Sequence, residues 1–212
     1  MGLILFHVSR PCTSSPAVML YLVRTSILAS ATRNLIVMIG GPNYKLPLGR
    51  IDSLVSQATS VEGKLARVND TKIPKSRLQR PRNVCISWSG HNIGFVHCKE
   101  FANRIFAKPD PTMNPKLVAI DSEGSFLDVI TPGTFDNMLF KNLMNGLGVL
   151  GSVQLLLSDP RTRPFVEKYA KDNLAFSADF ARAMEKLNVY KVKVDNQGEV
   201  RRRCDAPNTS RK

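Results

Sequence analysis

From residue 24 to 39, apolar side chains recur at Ile27, Leu28, Ala31, Leu35, Ile36 and Ile39. That three-to-four-residue spacing gathers one face of an α-helix. Gly40-Gly41-Pro42 follows directly and predicts a clean stop. The strongest pattern lies at residues 175–187, where Phe176, Phe180, Ala183, Met184 and Leu187 are spaced for one buried face. Residues 89–106, with Ile93, Val96, Phe101 and Ile105 as apolar positions, are predicted as a further helix, as are 135–145 and 163–174. Residues 44–52 read as turn or short extended chain and 53–58 as a short helix. Residues 69–82 are basic, with prolines at 74 and 81, and read as a loop or a damaged helix. The segment KPDPTMNP at 108–115 is turn-rich. Strand signals are few, so the pattern predicts a mainly α fold with helices adequate for a bundle-like core.

The 212 residues are enough for one sizeable domain, and 43% apolar against 22% charged residues is globular rather than disordered composition. No run of eighteen apolar residues occurs, so no membrane span is expected. Residues 1–23 form a divergent N-terminal segment without a convincing secretion signal, because Arg10, Pro11 and the Ser/Thr run interrupt its apolar stretches. Residues 209–212 are a basic tail. A net charge of +13 raises the question of a polyanionic partner. The cations are scattered, with clusters only near 72–82 and 191–212, and no aromatics interleave with them, so nucleic-acid binding is not expected. Cys12, Cys85, Cys98 and Cys204 form no C-x-x-C pair, which argues against zinc. The sequons beginning at Asn69 and Asn208 are compatible with secretion, but such triplets are common by chance.

Several motifs stand in order along the chain. Residues 89–98 read SGHNIGFVHC, residues 131–137 read TPGTFDN, and residues 159–173 read DPRTRPFVEKYAKDN. Residues 179–187 read DFARAMEKL and 198–204 read GEVRRRC; upstream stand ILASATR at 27–33, Gly40-Gly41-Pro42 and PLGRID at 47–52. This series resembles the proximal, C-terminal half of class III secretory plant peroxidases, over about residues 24–208 and with internal deletions. The family shows Ser-Gly-(Gly/Ala)-His-Thr-(Ile/Leu)-Gly with a Cys seven positions after the His. Here one residue before the His is missing, while the spacing from His91 to Cys98 holds. The resemblance implies a partial haem-peroxidase fold: the proximal helical layer, with the distal layer largely missing.

The resemblance also implies two cofactors, haem b and calcium. His91 matches the axial iron ligand, a role that suits a neutral imidazole on a rigid element. A lone histidine otherwise caps a helix or fills a core. Asn92, Asp128, Thr131 and Asp136 match calcium-ligand positions, with Thr134 offering a carbonyl; Asn92 replaces the expected Thr. Calcium takes six to eight oxygen ligands, and the competing reading makes Asp128 and Asp136 turn and cap residues. The family's Ser-Asp-Gln segment, whose Asp accepts from the axial imidazole, reads Ser152-Val153-Gln154 here, and valine has no acceptor.

In the family, a distal His and a nearby Arg in an Arg-x-x-x-His segment activate peroxide. Of the three histidines here, His7 has its arginine after it and His97 adjoins Cys98, so no distal pair and no catalytic residue is assigned. The family's partner for Cys98 is missing from residues 114–128, and Cys204 lacks its partner near Arg24. No proline stands in KLARV at 64–68, where the family places its reducing-substrate proline. The implied reaction is oxidation of phenolic donors by hydrogen peroxide, in a secreted monomer, impaired in this chain. The alternative is a non-catalytic remnant that binds haem, calcium or, through the cluster at Arg201-Arg202-Arg203, an anionic surface.

Overall fold

The computed structural model describes residues 24–54, 89–107, 110–117, 124–190, 192–193, 195–202 and 208. The expected short helix at 53–58 lies almost wholly outside them, as do the 69–82 segment, residues 1–23, the tail at 209–212, Cys12, Cys85 and Cys204.

Helix α1 spans Arg24–Met38 and stops where the sequence predicts. Gly40 takes a φ of 92°, a left-handed turn that glycine enters without steric cost, and the Gly41 amide donates to the Ile36 carbonyl at 2.8 Å. A β-carbon on Gly41 would collide with Ile36 and the Phe135 ring, so this turn is also a close packing point. The apolar face of α1 is only partly covered by the described residues: Ile36 is buried and Ile39 packs on the core, while Leu28 is half exposed.

The remaining helices are α2 at Met138–Met144, α3 at Gly151–Ser158, α4 at Arg163–Lys171 and α5 at Asn173–Asn188. Helix α2 packs most extensively on α4, which also contacts α3 and α5. Their shared core is aromatic: Phe135, Phe140, Tyr169, Phe176 and Phe180 are buried, with ring centroids between 4.7 and 6.0 Å apart in successive pairs. The mainly α reading is therefore borne out.

Three boundaries differ from the sequence reading. The helix expected at 89–106 is not continuous. It resolves into a 3-10 turn at Ser89–Asn92, strand β1 at Phe95–His97, a second 3-10 turn at Cys98–Glu100 and a π-helical turn at Asn103–Ala107. Gly94 at φ 133° breaks the helical path, and β1 pairs antiparallel with β2 at Gly124–Phe126, Phe95 opposite Phe126. The two exposed phenyl rings meet edge to face at 5.7 Å. The stretch expected at 163–174 splits at Asp172, whose extended backbone ends α4 and whose carboxylate accepts from the Ala175 amide at 2.9 Å, capping α5. The helix expected at 135–145 begins only at Met138, because residues 135–137 make a turn in which the Asp136 carboxylate receives the Met138 amide.

The PLGRID segment crosses back to the C-terminal side. Arg50 donates through Nε and Nη2 to the Asn188 carbonyl at the end of α5, and Asp52 exchanges both backbone hydrogen bonds with Glu199 at 2.9 Å.

Candidate functional site

His91 lies on the 3-10 turn Ser89–Asn92, which packs against α2. The residue as a whole keeps some exposure, whereas its Nδ1 is buried. Burial lowers the imidazole from its ordinary 6.5 to about 4, so it is neutral at pH 7, the state in which a ring nitrogen can ligate a metal. Between those two values the unfolded chain binds the proton and the folded chain does not. Stability is therefore full above pH 6.5 and lost as pH falls toward 4, by on the order of 3 kcal/mol at most. Urea midpoints across that window should fall for the wild-type chain and change less for His91→Gln; parallel profiles would show that His91 does not carry the effect.

The residue beside His91 is the innermost. Asn92 is fully buried; its Nδ2 donates to the Asp136 carbonyl, and its Oδ1 is buried without a hydrogen-bond donor. From Asp136 the chain links three oxygen-bearing side chains, those of Asp128, Thr131 and Asp136 itself. Asp128, also fully buried, accepts at Oδ1 from the amides of Ile130 and Thr131 and from Asn142 Nδ2, each at 2.9 Å. The Thr131 hydroxyl lies 3.3 Å from Asp128 Oδ2 and 3.3 Å from Asp136 Oδ1. Asp136 Oδ1 also accepts from the Met138 amide at 2.7 Å. One hydroxyl cannot donate to two carboxylates at once, so the Asp128–Thr131–Asp136 contacts are long and incompletely satisfied.

These are the four oxygen-bearing positions singled out in the sequence, drawn from residues 92 to 136. Thr134 is exposed, and its amide donates to the Thr131 carbonyl at 3.1 Å. The set holds two carboxylates, a hydroxyl and an amide oxygen, all hard donors of the kind calcium takes. Among the described residues no group of three or more His, Cys, Asp or Glu side chains is placed to hold a metal. The Asn92 oxygen, buried without a donor on a residue whose amide meets the Asp136 carbonyl, fits a cation as the partner it lacks.

Val153 sits in α3 and is buried in the core, with no acceptor to offer an imidazole; its neighbour Gln154 bridges the Leu143 carbonyl and the Gly148 amide. Cys98 is a free, partly buried thiol. Arg201 turns inward: its side chain is almost wholly buried and donates to the Ser53 carbonyl at 2.7 Å. Two buried asparagines escaped the sequence reading. Asn137 donates to the Tyr169 and Ala170 carbonyls at the end of α4, and Asn142 holds Asp128. Their signal was a polar amide among the apolar positions of FDNMLFKNLM, a stretch that also carries Asp136 and Lys141. Among the described residues no helix is long and apolar enough to cross a membrane.

Known proteins share this arrangement of motifs. A family profile described as peroxidase matches residues 24–172. Peroxidase 41 of Arabidopsis thaliana is 49% identical over 197 residues, covering 84% of this chain and 60% of the relative. Peroxidase 65 of the same plant is 45% identical over 84% of this chain and 59% of its own length, and Peroxidase 6 is 46% identical over 87% and 63%. The chain thus spans about 60% of the length of these relatives. With the helical layer, the ordered motifs and these identities in agreement, the chain belongs to the plant peroxidase family.

Proposed function

We propose that this chain forms the proximal, cofactor-holding part of a plant haem peroxidase, with His91 as the axial ligand of haem b and Asn92, Asp128, Thr131 and Asp136 around a calcium ion. The observation that carries the reading is the fully buried Asn92, next in sequence to His91, whose side-chain oxygen has no donor and whose amide reaches Asp136. A cation there would tie the His91 turn to the Asp128–Asp136 segment and to the start of α2, and so hold the imidazole in place. When bound, haem supplies the redox-active iron at which hydrogen peroxide is consumed and phenolic donors are oxidised.

The residues of this chain contribute orientation rather than acid–base chemistry. Nδ1 of His91 is buried, and Nε2 is assigned as the ligating nitrogen. Val153 offers no acceptor to that imidazole, and changes of this kind around metal ligands cost on the order of 10–100-fold in affinity or activity. No Arg-x-x-x-His segment stands in the sequence. Turnover by this chain alone is therefore expected to be weak or nil, and the same two features favour a non-catalytic haem- or calcium-binding protein as the second reading. A role in binding anionic surfaces through residues 201–203 loses one of its cations, since Arg201 is spent on Ser53 and Glu199. The family context supports an extracellular monomer.

Haem titration of the purified chain, followed in the visible spectrum beside His91→Ala, tests the reading. A saturable Soret shift that the substitution abolishes is the expected result. An equal shift in both proteins, or none in either, removes His91 as the ligand and the enzyme reading with it.

A further inference from the structure

We infer that Asn142 is a positioning residue for the cation: by occupying Oδ1 of Asp128 it leaves Oδ2 as the one oxygen through which that carboxylate can ligate. The inference rests on the calcium reading above and adds to it a residue that lies outside the ligand set. Asp128 Oδ1 receives three donors, the amides of Ile130 and Thr131 and Nδ2 of Asn142, all at 2.9 Å. A carboxylate oxygen has about two lone-pair sites, so three donors saturate it. Among the described residues Oδ2 receives only the Thr131 hydroxyl, at 3.3 Å, and that hydroxyl is equally close to Asp136. The carboxylate is thus turned with its less satisfied oxygen toward Thr131, which also meets Asp136, the residue whose carbonyl receives the Asn92 amide.

Of the three donors on Oδ1, the two amides belong to the turn immediately after Asp128 and would follow it if it swung. Asn142 alone reaches in from α2, fourteen residues along. It is nearly fully buried on a helix whose first amide, that of Met138, already holds Asp136. Helix α2 therefore grips both carboxylates, Asp136 at its first turn and Asp128 through Asn142, and sets the distance between them. Metal affinity depends on such outer contacts because they settle the orientation of ligands before the ion arrives.

The test is calorimetric titration of calcium chloride into chelator-stripped wild-type chain and Asn142→Leu, a substitution close in volume that removes only the donor. The expected result is a 10–100-fold weaker affinity in the variant, with the far-ultraviolet circular dichroism of the calcium-free chain unchanged. Equal affinity in the two proteins overturns the positioning role while leaving the calcium reading intact. Absence of calcium binding in the wild-type chain overturns both. Should Asn142→Leu fail to fold, nitrogen-15 labelled wild-type protein keeps the question open to refutation. The side-chain amide signals of Asn142 should shift as calcium is added, and signals that stay fixed while calcium binds would overturn the inference.

Discussion

Replacing Phe176 with alanine is expected to destabilise the chain by about 3–5 kcal/mol, the range for removing a large buried aromatic. Phe176 has no exposed surface and sits at the centre of the aromatic core. Its ring centroid lies 5.6 Å from Phe135, 5.1 Å from Phe140, 5.9 Å from Tyr169 and 6.0 Å from Phe180. The substitution removes the transfer energy of one ring and also its edge and stacking contacts, each worth roughly 0.5–1.5 kcal/mol beyond area burial. Because α5 contributes Phe176 and Phe180 to a cluster completed by Phe135, α2 and α4, the surrounding rings cannot all close on the gap. Domains of this size hold only about 5–15 kcal/mol of stability in total, so the variant should unfold at a much lower urea concentration. The measurement is the urea midpoint by circular dichroism. A loss under about 1 kcal/mol would mean that the rings are not a shared core.

How much of this was legible beforehand depended on how far each residue's partner lies along the chain. Helices α1 and α5 were readable because their apolar spacing, and for α1 the stop at Gly40, are local signals. The 89–106 segment was misread because its apolar positions fit a helix while its actual partner, Gly124–Phe126, lies about thirty residues on. Local periodicity carries no information about such a pairing. Helix α3 has Val153, Leu155, Leu156 and Leu157 in near succession, a short apolar run that period alone cannot assign to helix or strand. The proposed calcium positions Asn92, Asp128, Thr131 and Asp136 were named through the resemblance, by motif and not by any local pattern. Asn142 and Asn137 were not, because their acceptors lie fourteen and thirty-two residues away and an internal asparagine has no fixed role until its acceptor is known. Arg201 is the extreme case, with its Ser53 acceptor 148 residues away.

The second large effect separates the fold from the cation at the same residue. Asp128→Ala is expected to cost several kcal/mol even in chelator, before calcium enters the account. It leaves the Ile130 and Thr131 amides and the Asn142 side chain without their common acceptor. The buried Asn142 donor left unpaired costs roughly 1–3 kcal/mol, and the two part-buried amides add a smaller share. Asp128→Asn retains an acceptor oxygen at the same place and removes the negative charge. It should recover most of the calcium-free stability that alanine loses, while still binding calcium more weakly than the wild type, since a hard divalent ion responds to ligand charge. Urea midpoints with and without calcium for the three proteins provide the comparison. If asparagine and alanine are equally unstable in chelator, the carboxylate charge is needed for the turn itself. If both variants keep the wild-type response to calcium, Asp128 is a turn residue and not a ligand. The expected order, alanine worst without calcium and asparagine deficient only with it, requires that one side chain serve two partners through two different oxygens.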